Sequence, residues 1–258
     1  ALRVATNNIH FFIEKPLAVT ASSIKDLENK INENKLVNMV GYQTRFNPII
    51  NEVKDVLISK NYGRVISAEF KWCTYLPNHH PYEDYHNSYA ARKDLGGGVV
   101  NCLSHELDLI QWFFGIPISV YAVKGGSSKL GMDVEDDITA IFKCNNEETI
   151  FPVNLHLSFI QGLEKRVFAI LFQDALLKCN LITNEIQIIE HNNNLTYYNN
   201  YDDLDRNFLF KKEMEEFTKA VENKKNTSIP ISEGKKSLFM ALAIHKSLET
   251  GNLEEILF

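Results

Sequence analysis

No two of the four cysteines of this 258-residue chain (Cys73, Cys102, Cys144 and Cys179) have CxxC spacing. They lie far apart, which argues against the dense disulfide framework of a small secreted domain and for free, buried thiols in a reducing cytoplasm. Long apolar runs are missing too. No stretch is long enough to cross a bilayer, so no membrane partner is expected. Basic charge is in no excess, with 27 Lys and Arg against 33 Asp and Glu mixed along the chain and a net charge of −6. A nucleic-acid surface needs a basic patch, so no nucleic-acid partner is expected either. There is no internal repeat and no GxGxxG turn. The triplet Gly96–Gly98 fails the pattern because Asn101 stands where the last glycine would fall. The first residue is Ala1 rather than methionine, and Ala1-Leu-Arg-Val-Ala-Thr-Asn-Asn reads as the end of a helix. The sequence is therefore expected to be a fragment.

What is present reads as two textures. Ile9–Ile13 is a short apolar strand broken at Pro16. Ser22 or Ser23 can cap a helix with Ile24, Leu27 and Ile31 on one face, and Leu36–Tyr42 is a second strand. Strand, helix, strand is the rhythm of a parallel sheet. Asn47-Pro48 then starts a helix that Tyr62-Gly63 should end. Beyond it, period-two alternation recurs around 66–72, 118–123, 138–142, 151–159, 167–172, 175–181 and 186–189, with turn signals at Gly125-Gly126 and Asn145-Asn146. Short spacings imply hairpins and a mainly antiparallel sheet. Residues 191–205 read as a loop. Two helices close the chain, one with Phe210, Met214, Phe217 and Val221 in a stripe, the other capped by Ser232 and stopped by Gly251.

The chemistry is densest at Leu95–Asp108. Three glycines remove side chains from a patch of backbone, so a flat ligand could approach it closely. An amphipathic helix follows, with His105 and Asp108 three residues apart on one face. Histidine titrates near pH ~6.5 and can give or take a proton, and Asp108 could hold its ring in one tautomer. Lys15 sits at the carboxyl end of the first parallel strand, where ligands of such sheets bind. The segment 72–86 is a loop of Trp72, Tyr82 and Tyr85 with Asp84 and histidines among them. Aromatics can stack on sugar or nucleotide rings while polar groups read hydroxyls. His80, Asp84 and His86 could ligate a metal, but their spacing is not diagnostic and no metal is expected.

Four motifs occur in order: Phe12-Ile-Glu14-Lys15-Pro16-Leu; Val40-Gly-Tyr-Gln-Thr-Arg45-Phe46-Asn-Pro48; Gly96–Gly98 through His105 and Asp108; and Ser247-Leu-Glu-Thr-Gly251. With these motifs the chain resembles the Gfo/Idh/MocA family of NAD(P)-dependent oxidoreductases. The resemblance implies an α/β (α+β) chain. Residues 1–43 would be a remnant of a doubly wound Rossmann domain, and 44–258 an open-faced, mainly antiparallel sheet with helices on one face. It implies hydride transfer between NAD or NADP and a hydroxyl-bearing carbon of a sugar, sugar nucleotide or cyclitol. His105 would be the acid/base and Lys15 would stand by nicotinamide and substrate. Substrate contacts are expected from Asn101, Trp72, Tyr82, Asp84, Tyr85, Arg92 and Asp108, cofactor contacts from Glu14, Lys15, Pro16 and Arg45. A homodimer or homotetramer through the sheet face is expected. The family often has aspartate where Asn101 stands, and asparagine can neither take a proton nor supply charge. A non-catalytic sugar-binding or regulatory homologue is the alternative. The dinucleotide-binding strand and turn are absent from the sequence given, so this segment by itself should bind NAD(P) poorly.

Overall fold

The computed structural model describes residues 1–79, 81–126, 128–145, 149–191, 194–201 and 204–257, and all of their side chains but that of Arg206. His80 of the metal alternative and Asn146 of the expected turn lie outside the described residues. None of the described helices is long and apolar enough to cross a membrane.

A short helix α1 (Leu2–Thr6) leads into strand β1 (Phe11–Glu14), helix α2 (Ile24–Glu33) and strand β2 (Asn38–Gly41). The strands pair in parallel, Phe11 with Asn38 through Glu14 with Gly41, the expected βαβ rhythm. The apolar faces of α2 and the strands build a small core from Phe11, Ile24, Leu27, Met39 and Val40. This core is completed from the other end of the chain by Ile229, Ile231 and Leu238. The segment 1–43 therefore shares its interior with the closing helices.

Helix α3 (Pro48–Ser59) starts as its sequence dictates: the Asn47 side chain accepts from the Ile49 amide at 3.0 Å and proline fills the first turn. It ends at Lys60 in the left-handed region, before the expected Tyr62-Gly63. Nine strands follow: β3 (Val65–Tyr75), β4 (Ser119–Lys124), β5 (Asp137–Asn145), β6 (Ile150–Ser158), β7 (Ile160–Phe172), β8 (Ala175–Asn180), β9 (Glu185–Glu190), β10 (Leu195–Asn200) and β11 (Glu254–Glu255). They form one sheet in the order β10-β9-β8-β7-β3-β6-β5-β4-β11, antiparallel except for the central β3/β6 pair. Alternate residues such as Phe70, Phe142, Val153, Leu155 and Ile170 point to one face, where helices cover them. The other face is open.

Three more expectations change, and one unexpected element appears. The 191–205 stretch contains β10, an edge strand with no buried residue and hence no alternation to read. Strand β11 is a two-residue patch on β4. The last helix, α7 (Ile231–Thr250), has Pro230 at its cap, so Ser232 lies inside its first turn, while Gly251 closes it as expected. The helix after the glycines is broken: α4 (Val99–Cys102) ends at Leu103, and α5 (His105–Phe114) restarts at His105. The remaining helix is α6 (Arg206–Asn223).

Candidate active site

The two glycines nearest α4 are not open to a ligand. A methyl group on Gly97 would lie 2.4 Å from the Tyr89 carbonyl, and one on Gly98 (φ +103°) 2.2 Å from a Glu135 carboxylate oxygen. That carboxylate accepts from the Val100 amide at 3.1 Å, capping α4. The expectation of a flat ligand against this backbone is corrected, because the chain's own groups occupy the space. Asn101 is tied into the same turn, donating to the Gly96 carbonyl at 3.0 Å, and it lines neither of the hollows described below.

Past the break, His105 stands in the first turn of α5, 3% exposed. Its ring meets the edge of Tyr42 at 5.6 Å and lies 6.2 Å from Trp72 on β3. It forms the wall of a cleft of about 810 Å³ together with Glu14, Lys15, Gln43, Trp72 and Arg166. The cleft opens at the carboxyl ends of β1 and β2. Lys15 joins Pro16 through a cis peptide, and its Nζ donates to the Cys102 carbonyl at 2.8 Å, bridging β1 to the end of α4. Burial lowers the Lys15 ammonium below its ordinary range, against the raising effect of Cys102 and Glu14. Lys15 and His105, 90 positions apart in the sequence, thus share one cavity.

Behind Trp72 lies a cation and its counter-ion. The Arg166 guanidinium stacks 3.9 Å from the Trp72 ring centre and donates to Glu106 at 2.7 Å. Glu106 is buried, and burial raises its carboxyl even against Arg166. Neither residue was expected at the site. The signal for Glu106 was its place beside His105; Arg166 has only its position on an alternating strand. Gln43 and His79 line the cleft as well. Two polar atoms on its walls, Gln43 Oε1 and Trp72 Nε1, are buried with no hydrogen-bond partner among the described residues. An amide-bearing ring such as nicotinamide fits such a wall, with Leu209 and Phe210 of α6 as its apolar side and Gln43 as an acceptor.

A second, smaller hollow of about 200 Å³ adjoins the first, sharing Lys15, Trp72 and His79 with it. Its remaining walls include Phe159, Cys102 and Ala90, with Tyr85, Tyr89 and Glu83 from the loop. The Cys102 thiol is pushed up to about 11 by burial, which makes it a wall and not a nucleophile.

Several expected contacts lie elsewhere. Asp108 is committed to the interior. It is 1% exposed and receives Arg45 in a two-pronged ion pair at 2.7 and 2.8 Å, with Gln111 donating at 3.1 Å. Arg45, expected at the cofactor, is therefore consumed in the interior, where it also stacks 5.1 Å from Trp112. The i, i+3 spacing placed Asp108 one turn from His105, but α5 turns that position toward Arg45. Tyr82 is 78% exposed, Asp84 binds His86 at 2.8 Å, and Arg92 pairs with Asp94 at 2.6 Å, all at the surface and outside both hollows. Pro16 is in neither hollow, while Glu14 lines the cleft. Among the described residues no three His, Cys, Asp or Glu side chains come together as metal ligands.

Residues 50–170 match the family described as the GFO/IDH/MocA C-terminal domain. Two curated relatives are scyllo-inositol 2-dehydrogenase (NAD(+)) of Bacillus subtilis, 25% identical over 118 residues, and inositol 2-dehydrogenase of Acidothermus cellulolyticus, 27% identical over 158. The matches cover 46% and 60% of this chain but only 32% and 42% of those proteins, so the aligned segment spans less than half of each relative. A solved levoglucosan dehydrogenase in complex with NADH and levoglucosan superposes with a TM-score of 0.84 at 17% identity, over 100% of this chain and 76% of that one. That likeness establishes the fold.

Proposed function

On the premise that residues 50–170 are a GFO/IDH/MocA C-terminal domain, we propose that this chain is the substrate-handling part of an NAD(P)-dependent dehydrogenase acting on a hydroxyl-bearing carbon of a sugar or cyclitol. The observation that carries the reading is the meeting of Lys15 and His105 on the walls of one cleft at the carboxyl ends of a parallel strand pair. The relatives that act on inositol and levoglucosan favour the same substrate class.

His105 takes the proton from the substrate hydroxyl, or returns it in the reverse direction. Its ring is held by Tyr42 and Trp72 on the wall of the cleft, so little reorganisation is needed for it to meet a bound hydroxyl. Lys15, anchored on the Cys102 carbonyl, holds the substrate oxygen with a second ammonium proton. Its lowered proton affinity suits it to sharing that proton as charge develops. Arg166, neutralised by Glu106, stiffens Trp72 and excludes water from one wall. Gln43 and Phe210 would hold a nicotinamide, which would supply the hydride acceptor. All four cysteines are free and buried, which suits a reducing compartment, and we assign the protein to the cytoplasm on that ground.

His105→Ala in the intact protein is expected to lower turnover about 10²- to 10⁴-fold, the usual worth of one acid/base group, with dinucleotide affinity unchanged. Steady-state reduction of NAD(P)⁺ with inositols and sugars measures the first, and fluorescence titration the second. Turnover unchanged in the variant refutes the role of His105. An intact wild type that reduces neither dinucleotide with any of them favours the non-catalytic homologue.

A further inference from the structure

We infer that the small hollow beside Lys15 is a subsite for the non-reacting part of the substrate, and that it selects an uncharged, monosaccharide-sized polyol over a phosphorylated sugar or sugar nucleotide. The inference rests on the dehydrogenase reading for the identity of the reacting carbon, but the hollow itself is defined by its walls. Lys15 is its link to the chemistry: one ammonium borders both cavities, so a ligand held by it reaches His105 on one side and the hollow on the other.

The walls decide the ligand class. Trp72, Tyr85 and Tyr89 present flat apolar surface, which suits the C–H face of a pyranose or cyclitol ring. Glu83 supplies a carboxylate for hydroxyls, while His79 Nε2 is already paired with the Thr74 hydroxyl at 2.9 Å. The volume of about 200 Å³ accommodates one six-membered polyol and no nucleoside. Charge excludes phosphate. Among the described residues lining the two cavities, the carboxylates Glu14, Glu83 and Glu164 outnumber the cations Lys15 and Arg166, and the latter is already bonded to Glu106. A phosphate would therefore meet a net negative surface and no uncommitted guanidinium, whereas a neutral polyol loses nothing by it. The geometry also explains why Tyr85 belongs to the site while Tyr82 and Asp84 do not. Tyr85 turns inward, donating to the Leu130 carbonyl at 3.0 Å.

Ala90 lines the hollow without touching His105 or Lys15 through any hydrogen bond, so its side chain can be enlarged to fill the space. Ala90→Val and Ala90→Leu in the full-length protein form a graded series. Saturation-transfer NMR with methyl glucoside, myo-inositol, glucose 6-phosphate and UDP-glucose reads binding independently of turnover. Wild type is expected to give transfer to methyl glucoside or myo-inositol and little to the two phosphorylated probes. Ala90→Leu should abolish it, and Ala90→Val reduce it, with unfolding midpoints confirming the fold. In turnover assays KM should rise about tenfold or more from Val to Leu while dinucleotide affinity stays put. Transfer to the phosphorylated probes as strong as to the neutral ones, transfer to none of the four, or filled variants that bind and turn over like wild type would each overturn the proposal. Neutral probes that bind and are displaced in Ala90→Leu, in a protein that never reduces NAD(P)⁺, would uphold the hollow and refute the dehydrogenase reading instead.

Discussion

Asp108 shows how far a single side chain can depart from its apparent role. At 1% exposure, its carboxylate is kept in the interior by Arg45 and Gln111. Removing one partner of such a pair strands the other charge away from water, so Asp108→Ala should cost about 3–5 kcal/mol in a denaturant titration. Were the residue a substrate ligand instead, the same change would leave stability intact and raise KM. The spacing of His105 and Asp108 was legible in the sequence, but its meaning was not. A sequence read alone cannot know that Arg45, 63 positions earlier, arrives on that face. Glu213 makes a parallel case on α6. It is 1% exposed, one oxygen has no partner among the described residues, and its carboxyl is pushed up to about 8 by burial and by the charge of Glu14. The folded state holds a proton there that the unfolded chain releases above pH ~4.3, so stability is lost as pH rises from there to about 8. Glu213→Gln keeps the neutral form at every pH. Its unfolding midpoint should gain on wild type by a few degrees between pH 5 and pH 8, and a pH-independent gap would contradict the assignment.

The elements that sequence pattern places well are those with a period and a punctuation mark. Helix α3, with Asn47 and Pro48, and the buried alternation of β5 and β6 are examples. The elements it misplaces lack one or the other. Strand β10 has no buried face, and it is held through its side chains: Tyr197 and Asn199 donate to the Glu52 carboxylate of α3 at 2.9 and 2.8 Å, with the Tyr201 hydroxyl beside them. Glu52→Ala should release this edge without unfolding the sheet, seen as faster amide exchange confined to β10 and the end of β9. The glycine turn is the opposite case, visible in the sequence but misread. Its side-chain-free backbone makes room for Tyr89 and Glu135 of the same chain. Gly98→Ala, with φ at +103° and a carboxylate in the way, should destabilise by about 2–4 kcal/mol.

For the whole molecule, one face of the large sheet stands open, with apolar side chains exposed on it. Tyr121, Val123 and Ile141 lie on neighbouring strands there, 41%, 51% and 48% exposed. We propose that a second copy covers it, forming the homodimer or homotetramer expected above. Light scattering on the intact protein should give a multiple of the protomer mass, and Ile141→Glu should return it to the protomer with unchanged circular dichroism. The fold class was legible from pattern and resemblance because strand alternation and the βαβ rhythm are local. The sharing of the small core with Ile229, Ile231 and Leu238 was not, since that contact joins opposite ends of the chain.

Helix α7 belongs to both interiors: Ile231 and Leu238 sit in the small one, and Met240, Ala241 and Ile244 in the large one. Its 20 residues make a rod of ~30 Å whose start presses so closely on β2 that a methyl group at Gly234 would strike Val40 at 2.5 Å. The bank carrying Lys15 and the bank carrying Trp72 are thus bolted to one beam. The spacing between those two banks is therefore set by a single rod and not by a loop.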